Sequence, residues 1–378
     1  MNIVPTNQKY YYSLMMQNLQ ELKQKYPFLE IGNIGFSTLG KQLPYIKIGR
    51  GSRKIMYNAG IHANEYICCI LLMKFVENFC QSYVLNSRIF GQNARELFNN
   101  VSLYILPMMN PDGIDLVTGR IEPNSKEYRN YLEISESFPN IPFPSGWKAN
   151  ANGVDLNLQF PAGWQEARRI KFEQGYTKPA PKNFVGEGPL TQNEALAIYN
   201  FTLKNNFELT ISYHTQGKEI YWDFQNINPP QGYEIGRIFA RVSGYDLTDV
   251  PYNSSFAGYK DWFIQNYKRP GYTIEAGIGE NPLPISQFDE IYNDNIGVLV
   301  LGMITSWFKL IFSYKTRSGA QCAPRMTGIN KECANILRPQ WHNGTLKPFL
   351  PIQLVAKSAK IDKKRYKNVK NGSRLEFP

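Results

Sequence analysis

The stretch KIMYNAGIHANEY, residues 54–66, decides how the rest of the chain is read. Its first seven residues are a short run of strand formers ending at Ala59-Gly60, the pattern of a buried strand running into a turn. Past Gly60 the apolar positions Ile67, Ile70, Leu71, Phe75 and Phe79 recur at helical spacing through Asn64–Phe79. At this strand-to-helix junction stand His62 and, three residues on, Glu65, in a chain of 378 residues with only three histidines. One reading is a helix start, with Glu65 facing the dipole in the first turn. The other is a pair of metal ligands. H-x-x-E is too short a pattern to choose between them alone.

Working outward, residues 10–26 carry Tyr11, Leu14, Met15, Leu19 and Leu22 at helical spacing. EIGNIGFSTLG, LPYIKIG and KIMYNAG read as short strands, and VSLYILPMMN (101–110) reads as a buried strand stopped by a Pro111-Asp112-Gly113 turn. ELTISYH (208–214) and GYTIEAG (271–277) read as two more buried strands. Residues 191–204 and 285–312 read as helical, the first opened by a Thr191/Glu194 capping box. Strands alternate with helices, and long irregular connections are expected from about 111 to 190. The fold class is therefore α/β, a mixed and mostly buried sheet flanked by helices. Residues 1–315 form its domain. Residues 316–378 are a basic, irregular tail, expected to be poorly ordered.

The net charge of +11 does not point to nucleic acid, because 13 of the 42 Lys+Arg but only 3 of the 31 Asp+Glu fall from residue 316 onward. The preceding body is nearly neutral, and no nucleic-acid partner is expected. The five cysteines are odd in number and form no C-x-x-C pair. They read as reduced structural thiols. The longest apolar stretch, 296–312, is interrupted by Gly302, Ser306 and Lys309, so no membrane segment is expected. The polar, tyrosine-rich N-terminus lacks the features of a secretory signal, and a cytoplasmic location is the expectation.

A hydrolytic zinc centre needs three protein ligands, an open position, a separate base and a positive group near the developing oxyanion. His62 and Glu65 offer two ligands. His214 closes the strand ELTISYH and offers a third, whereas His342 lies in the tail without such a context. Glu275 stands between Ile274 and Ala276 in an apolar strand, where an unpaired carboxylate is costly. Such a glutamate is paired, metal-linked or a general base with a tuned pKa.

With these residues in view, the chain resembles the zinc carboxypeptidases of the M14 peptidase family. The matching pieces are GIHANEY (60–66), NPDG (110–113), GVDLNLQFPAGW (153–164), SYHTQG (212–217) and YTIEAG (272–277), in the family's order and within residues 10–312. The resemblance implies one Zn2+ held by His62, Glu65 and His214, with Glu275 activating water. It implies Asp155 behind His62, fixing its tautomer, and Asn157 contacting the substrate. Lys148, in GWKAN, takes the place of the family's oxyanion-stabilising arginine, with Arg129 and Arg120 as substitutes. The substrate-covering tyrosine falls on Tyr252, with Tyr259 as its rival.

One departure bears on substrate. Many family members carry an arginine directly after the asparagine, forming a fork on a C-terminal carboxylate. Here that residue is Leu158, which cannot make the contact. The DLNLQFPAGW segment is similar to the branch of γ-D-glutamyl-L-diamino acid peptidases. That branch cleaves bacterial cell-wall stem peptides between γ-D-glutamate and the diamino acid, usually meso-diaminopimelate. The expected substrate is accordingly a murein stem peptide. The alternative is a metallocarboxypeptidase of other specificity, or an amide-cleaving deacylase.

Overall fold

The computed structural model describes residues 2–304 and two short strands, Trp341–His342 and Thr345–Leu346. The chain divides into two units, Met1–Ser318 and Gly319–Pro378. Of the second, the described part is the antiparallel pairing of the two short strands, with Trp341 opposite Leu346. The expected irregular tail otherwise lies outside the described residues, as do Cys322 and Cys333.

Eight strands build the main sheet: β1 (Glu30–Phe36), β2 (Gln42–Ile48), β3 (Arg53–Ala59), β4 (Val101–Leu106), β5 (Leu209–His214), β6 (Glu219–Tyr221), β7 (Asp246–Thr248) and β8 (Gly271–Glu275). Their order is β1-β2-β4-β3-β5-β8-β6-β7. The central strands β4, β3, β5 and β8 are mutually parallel, while β1, β2 and β6 pair antiparallel. The sheet is therefore mixed, as expected.

Strand periodicity explains why both faces are covered. Along β3, Ile55, Tyr57 and Ala59 enter one apolar core while Met56 enters another. In β4, Val101, Leu103 and Ile105 part from Tyr104 and Leu106 in the same way. The first core is roofed by α1 (Tyr12–Lys25), α2 (Ile67–Val84), the short α3 (Ala94–Asn100), α8 (Gly232–Ser243) and α10 (Phe288–Ile304). The second is covered by α6 (Trp164–Glu173), α7 (Asn193–Asn205) and α9 (Tyr259–Tyr267). In β5 and β8 the alternation is chemical. Leu209, Ile211, Tyr213, Tyr272 and Ile274 face the first core, which leaves Thr210, Ser212, His214, Thr273 and Glu275 on the opposite face.

Four expectations need correction. Residues 111–190 are not simply irregular: they hold α4 (Pro111–Thr118), α5 (Lys126–Glu136) and α6. Pro111 does not end a strand in a turn but opens α4, because Asn110 caps the helix by accepting the Gly113 N–H at 3.1 Å. The Thr191/Glu194 capping box does not form, since tertiary partners take both side chains. Thr191 bonds Gln159 at 3.1 Å, Glu194 accepts the Thr38 N–H at 2.7 Å, and the helix cap is Gln192. Finally, α2 is long and apolar enough to cross a membrane by length and composition. It is 67% buried inside the fold, however, as the core helix of the sheet's first face. Its Cys68, Cys69 and Cys80 are buried free thiols, as expected.

Candidate active site

The four central parallel strands end at one edge, where an α/β sheet places its ligand crevice. His214 is the last residue of β5 and Glu275 the last of β8, and the two are direct register partners. The loop after β3 turns at Gly60, whose φ of +67° and contacts leave no room for a Cβ: one would lie 2.6 Å from Cys69 Sγ. Two residues later His62 enters the same edge, and Glu65 follows in a 3-10 turn, Ala63–Glu65.

Asn110, from the NPDG motif, ties this loop to its neighbour. Its side-chain amide donates to the carbonyls of Ile61 (3.3 Å), Lys148 (3.3 Å) and Ala149 (2.9 Å), while Ala63 N–H donates to Lys148 O at 3.1 Å. Gly113 is needed there because a Cβ would strike Ala149 O and the Ala63 side chain, both at 2.7 Å. The motif thus supplies the bracket that joins the His62 loop to the Lys148 loop.

His62, Glu65 and His214 converge. His62 Nδ1 lies 3.0 Å from Glu65 Oε1, His214 Nδ1 lies 3.0 Å from Glu65 Oε2, and the two imidazole Nδ1 atoms are 3.2 Å apart. Asp155 Oδ1 lies 3.1 Å from His62 Nε2; a proton held there makes Nδ1, which faces Glu65 and His214, the nitrogen that is free to ligate once its own proton is displaced. Ligands of a tetrahedral zinc at ordinary bond lengths are separated by about 3.3 Å. The donor set and its spacing fit such an ion, and these three residues could hold it.

The electrostatics are strongly coupled. Burial opposes a charge on His62, but Glu65 and Asp155 outweigh it and lift its pKa to about 9. Burial likewise opposes ionisation of Asp155, yet His62 and the Asn183 N–H hold its pKa down at about 2. For Glu65, the neighbouring His62, Lys148 and His214 overcome burial and keep the carboxyl well below its ordinary range. Glu275 is pushed the other way, chiefly by burial and also by Glu65, against the attraction of His214 and Lys148. Two carboxylates of one site are therefore driven to opposite proton affinities.

His62, Asp155, His214 and Glu275 border a cleft of about 380 Å3, lined also by Lys148, Asn157, Leu158, Lys171, Asn183, Tyr221 and Lys260. Lys148 lies at the metal corner, where its ammonium donates to Glu65 Oε1 at 2.9 Å. Of its substitutes, Arg120 stacks on Tyr11, and neither it nor Arg129 borders the cleft. Asn157 accepts the Tyr259 N–H on Oδ1 at 3.2 Å. Tyr252 does not line the cleft. It is 57% exposed and its hydroxyl donates to Glu166 at 2.9 Å, an acceptor on α6 that holds it outward. Tyr259 is buried, bonded to Thr202 at 2.9 Å.

Lys171 and Lys260 were not singled out from sequence. Lys171 had a signal: it continues the buried stripe of α6 formed by Trp164, Ala167 and Ile170. A lysine one step along such a stripe is a buried cation, and buried cations have reasons.

A mixed α/β sheet with two imidazoles and two carboxylates at the carboxyl edge of its parallel strands is the scaffold of a metallohydrolase. The chain belongs to the zinc carboxypeptidase family (Peptidase_M14), whose sequence pattern matches residues 15–297. It is a zinc metallopeptidase, and zinc is its cofactor. It is 41% identical to the γ-D-glutamyl-L-diamino acid endopeptidase 1 of Lysinibacillus sphaericus over 80% of this chain and 74% of that protein. It is 37% identical to YqgT of Bacillus subtilis strain 168, described as uncharacterised, over 76% of this chain and 75% of that one. In fold it is similar to bovine thrombin-activatable fibrinolysis inhibitor, with a TM-score of 0.60 at 17% identity over 81% of this chain and 99% of the other. The carboxypeptidase A of Helicoverpa armigera aligns with a TM-score of 0.58 at 18% identity, over 78% and 73%.

Proposed function

We propose that the protein hydrolyses the bond between γ-D-glutamate and the diamino acid, usually meso-diaminopimelate, in bacterial cell-wall stem peptides. The observation that carries this reading is the 41% identity, over most of both chains, to an enzyme named for that bond. Leu158 supports it. At the position where a carboxylate fork would stand, a buried leucine lines the cleft, so recognition has to come from elsewhere than a protein C-terminus. A cytoplasmic location is part of the proposal, and fractionation of the producing cell tests it.

In this reading His62, Glu65 and His214 hold the zinc ion, with Asp155 keeping His62 in the ligating tautomer. Bound there, zinc supplies Lewis acidity and makes water a nucleophile near neutral pH. Glu275 takes the proton from the attacking water and returns it to the leaving amine, the task for which a raised carboxyl pKa suits it. Lys148 places a positive charge beside the carbonyl oxygen as that oxygen becomes anionic. Asn157 offers its amide to the substrate. Tyr252 covers the substrate only by leaving Glu166.

The test is direct competition among substrates. The zinc-loaded protein is offered L-Ala-γ-D-Glu-meso-diaminopimelate, ordinary dipeptides and N-acylated amino acids. Release of diaminopimelate is expected from the first. If only dipeptides or N-acyl amino acids are cleaved, the enzyme is a carboxypeptidase or deacylase instead, and the cell-wall reading is wrong.

A further inference from the structure

Three lysines border the cleft, and two of them have an acidic partner. Lys148 donates to Glu65 at 2.9 Å, and Lys260 lies 2.8 Å from Asp261 while also donating to the Asp223 carbonyl. Lys171 is different. Among the described residues no carboxylate lies within ion-pair distance of its ammonium. It meets only the Asn253 carbonyl at 3.2 Å and the Gln174 side-chain oxygen at 3.4 Å. Yet it is only 7% exposed. An ammonium taken out of water and given two neutral dipoles at contact is under-compensated: burial pushes its pKa below the ordinary lysine value, and the more distant Asp155, already engaged by His62, offsets this only in part.

Its place in the cleft gives that cost a purpose. Lys171 borders the same cleft as Asn157, Leu158 and Asn183. Leu158 contributes no polar group, and the Asn157 amide nitrogen has no protein partner among the described residues. This lining thus presents a buried cation with no carboxylate in contact and a free N–H donor, which together suit an anionic oxygen pair.

We propose that Lys171 is the specificity-determining residue of the cleft, pairing with a free carboxylate of the peptide substrate. The proposal rests on the stem-peptide reading above. Such a substrate carries the free α-carboxylate of D-glutamate, at the other end of that residue from the scissile γ-carbonyl, and carboxylates on the diamino acid. The chemistry recognised is the same in each case.

The experiment measures kcat and KM of the zinc-loaded full chain on L-Ala-γ-D-Glu-meso-diaminopimelate. Parallel reactions use the peptide amidated at the D-glutamate α-carboxylate, or amidated at the diamino acid. For the unaltered protein, one amidated form is expected to lose about 30-fold in kcat/KM, mostly through KM. The form that loses identifies the carboxylate. In Lys171→Met the acidic peptide suffers that same loss, and amidation costs nothing further. Lys171→Arg keeps part of the discrimination. Lys171→Gln, which retains a hydrogen-bond donor without charge, behaves as the Met variant and serves if Met impairs folding.

Undiminished discrimination in these variants overturns the proposal. So does an equal slowing of all three peptides, since that would mean Lys171 merely props the loop at Asn253. Indifference of the unaltered protein to amidation overturns it too. If the unaltered protein cleaves none of the three, the stem-peptide reading has failed, and this inference falls with it.

Discussion

The two sides of the cleft are built on different terms. At the metal corner the ligands and Lys148 answer to one another: His62 to Glu65 and Asp155, His214 to Glu65, Lys148 to Glu65. Its residues stand at the ends of parallel strands or on a loop bracketed by Asn110. At the opposite wall, formed by α6 and the 250–258 segment, Lys171 has only neutral partners and Tyr252 points outward to Glu166. The first side is complete within the protein except for its cation. The second is complete only with substrate. A pre-organised corner performs the chemistry, and an uncompensated wall chooses what enters.

Removing zinc should show the first side most plainly. Dialysis against a chelator is expected to take hydrolysis to background, and one equivalent of zinc per chain should restore it, as read by metal analysis beside the rate. Next in size, Glu275→Gln should lower kcat by about 10^3–10^4-fold with zinc content unchanged. A variant that keeps its turnover would remove Glu275 from the mechanism. Lys148→Met then sharpens the boundary between the two sides. A loss of about 10^2–10^3-fold in kcat with zinc retained marks Lys148 as an oxyanion group. Loss of zinc instead marks it as the prop of Glu65.

Asp155→Asn is expected to weaken zinc binding by about 10–100-fold, measured by competition with a chelating dye. The smallest effect is a matter of pH. The folded-state pKa of His62 stands at about 9 against an ordinary 6.5, so below that range zinc must displace a proton from it. Apparent zinc affinity should therefore climb about tenfold per pH unit from 6.5 toward 9. The sign for metal-free stability is the reverse. The His62 contribution is fully present below pH 6.5 and is lost as pH rises through 9. A flat affinity above pH 6.5 would mean that the corner is less tightly coupled than its distances imply.

The contrast also explains what could be read from sequence. β3, β5 and β8 were legible because short apolar runs bounded by glycine and polar turns have few other fates. Their alternation even shows which side chains share a face: Thr210, Ser212 and His214 against Leu209, Ile211 and Tyr213. His62 and Glu65 were legible as chemistry because residues at strand ends are placed by the sheet. α4 was missed although Asn110-Pro111 is a good helix start, since NPDG suits a turn equally well. The Thr191/Glu194 cap failed because a tertiary partner, Thr38, competes for Glu194. Tyr252 and Lys171 depend on how α6 packs against the 250–258 segment, which no local pattern encodes. What a ladder of strands fixes is readable; what a helix meets across a gap is not.

The pairing of Glu275 with His214 across β5 and β8 has an engineering corollary. Backbone hydrogen bonds align these two side chains, and sliding one strand by a single step would throw the acid to the far face. The separation of reactive groups is thus inherited from the ladder itself and owes nothing to the segment at 250–258. Grafting a different 250–258 loop, or recoding α6, should retarget the scissors while leaving the blades in alignment.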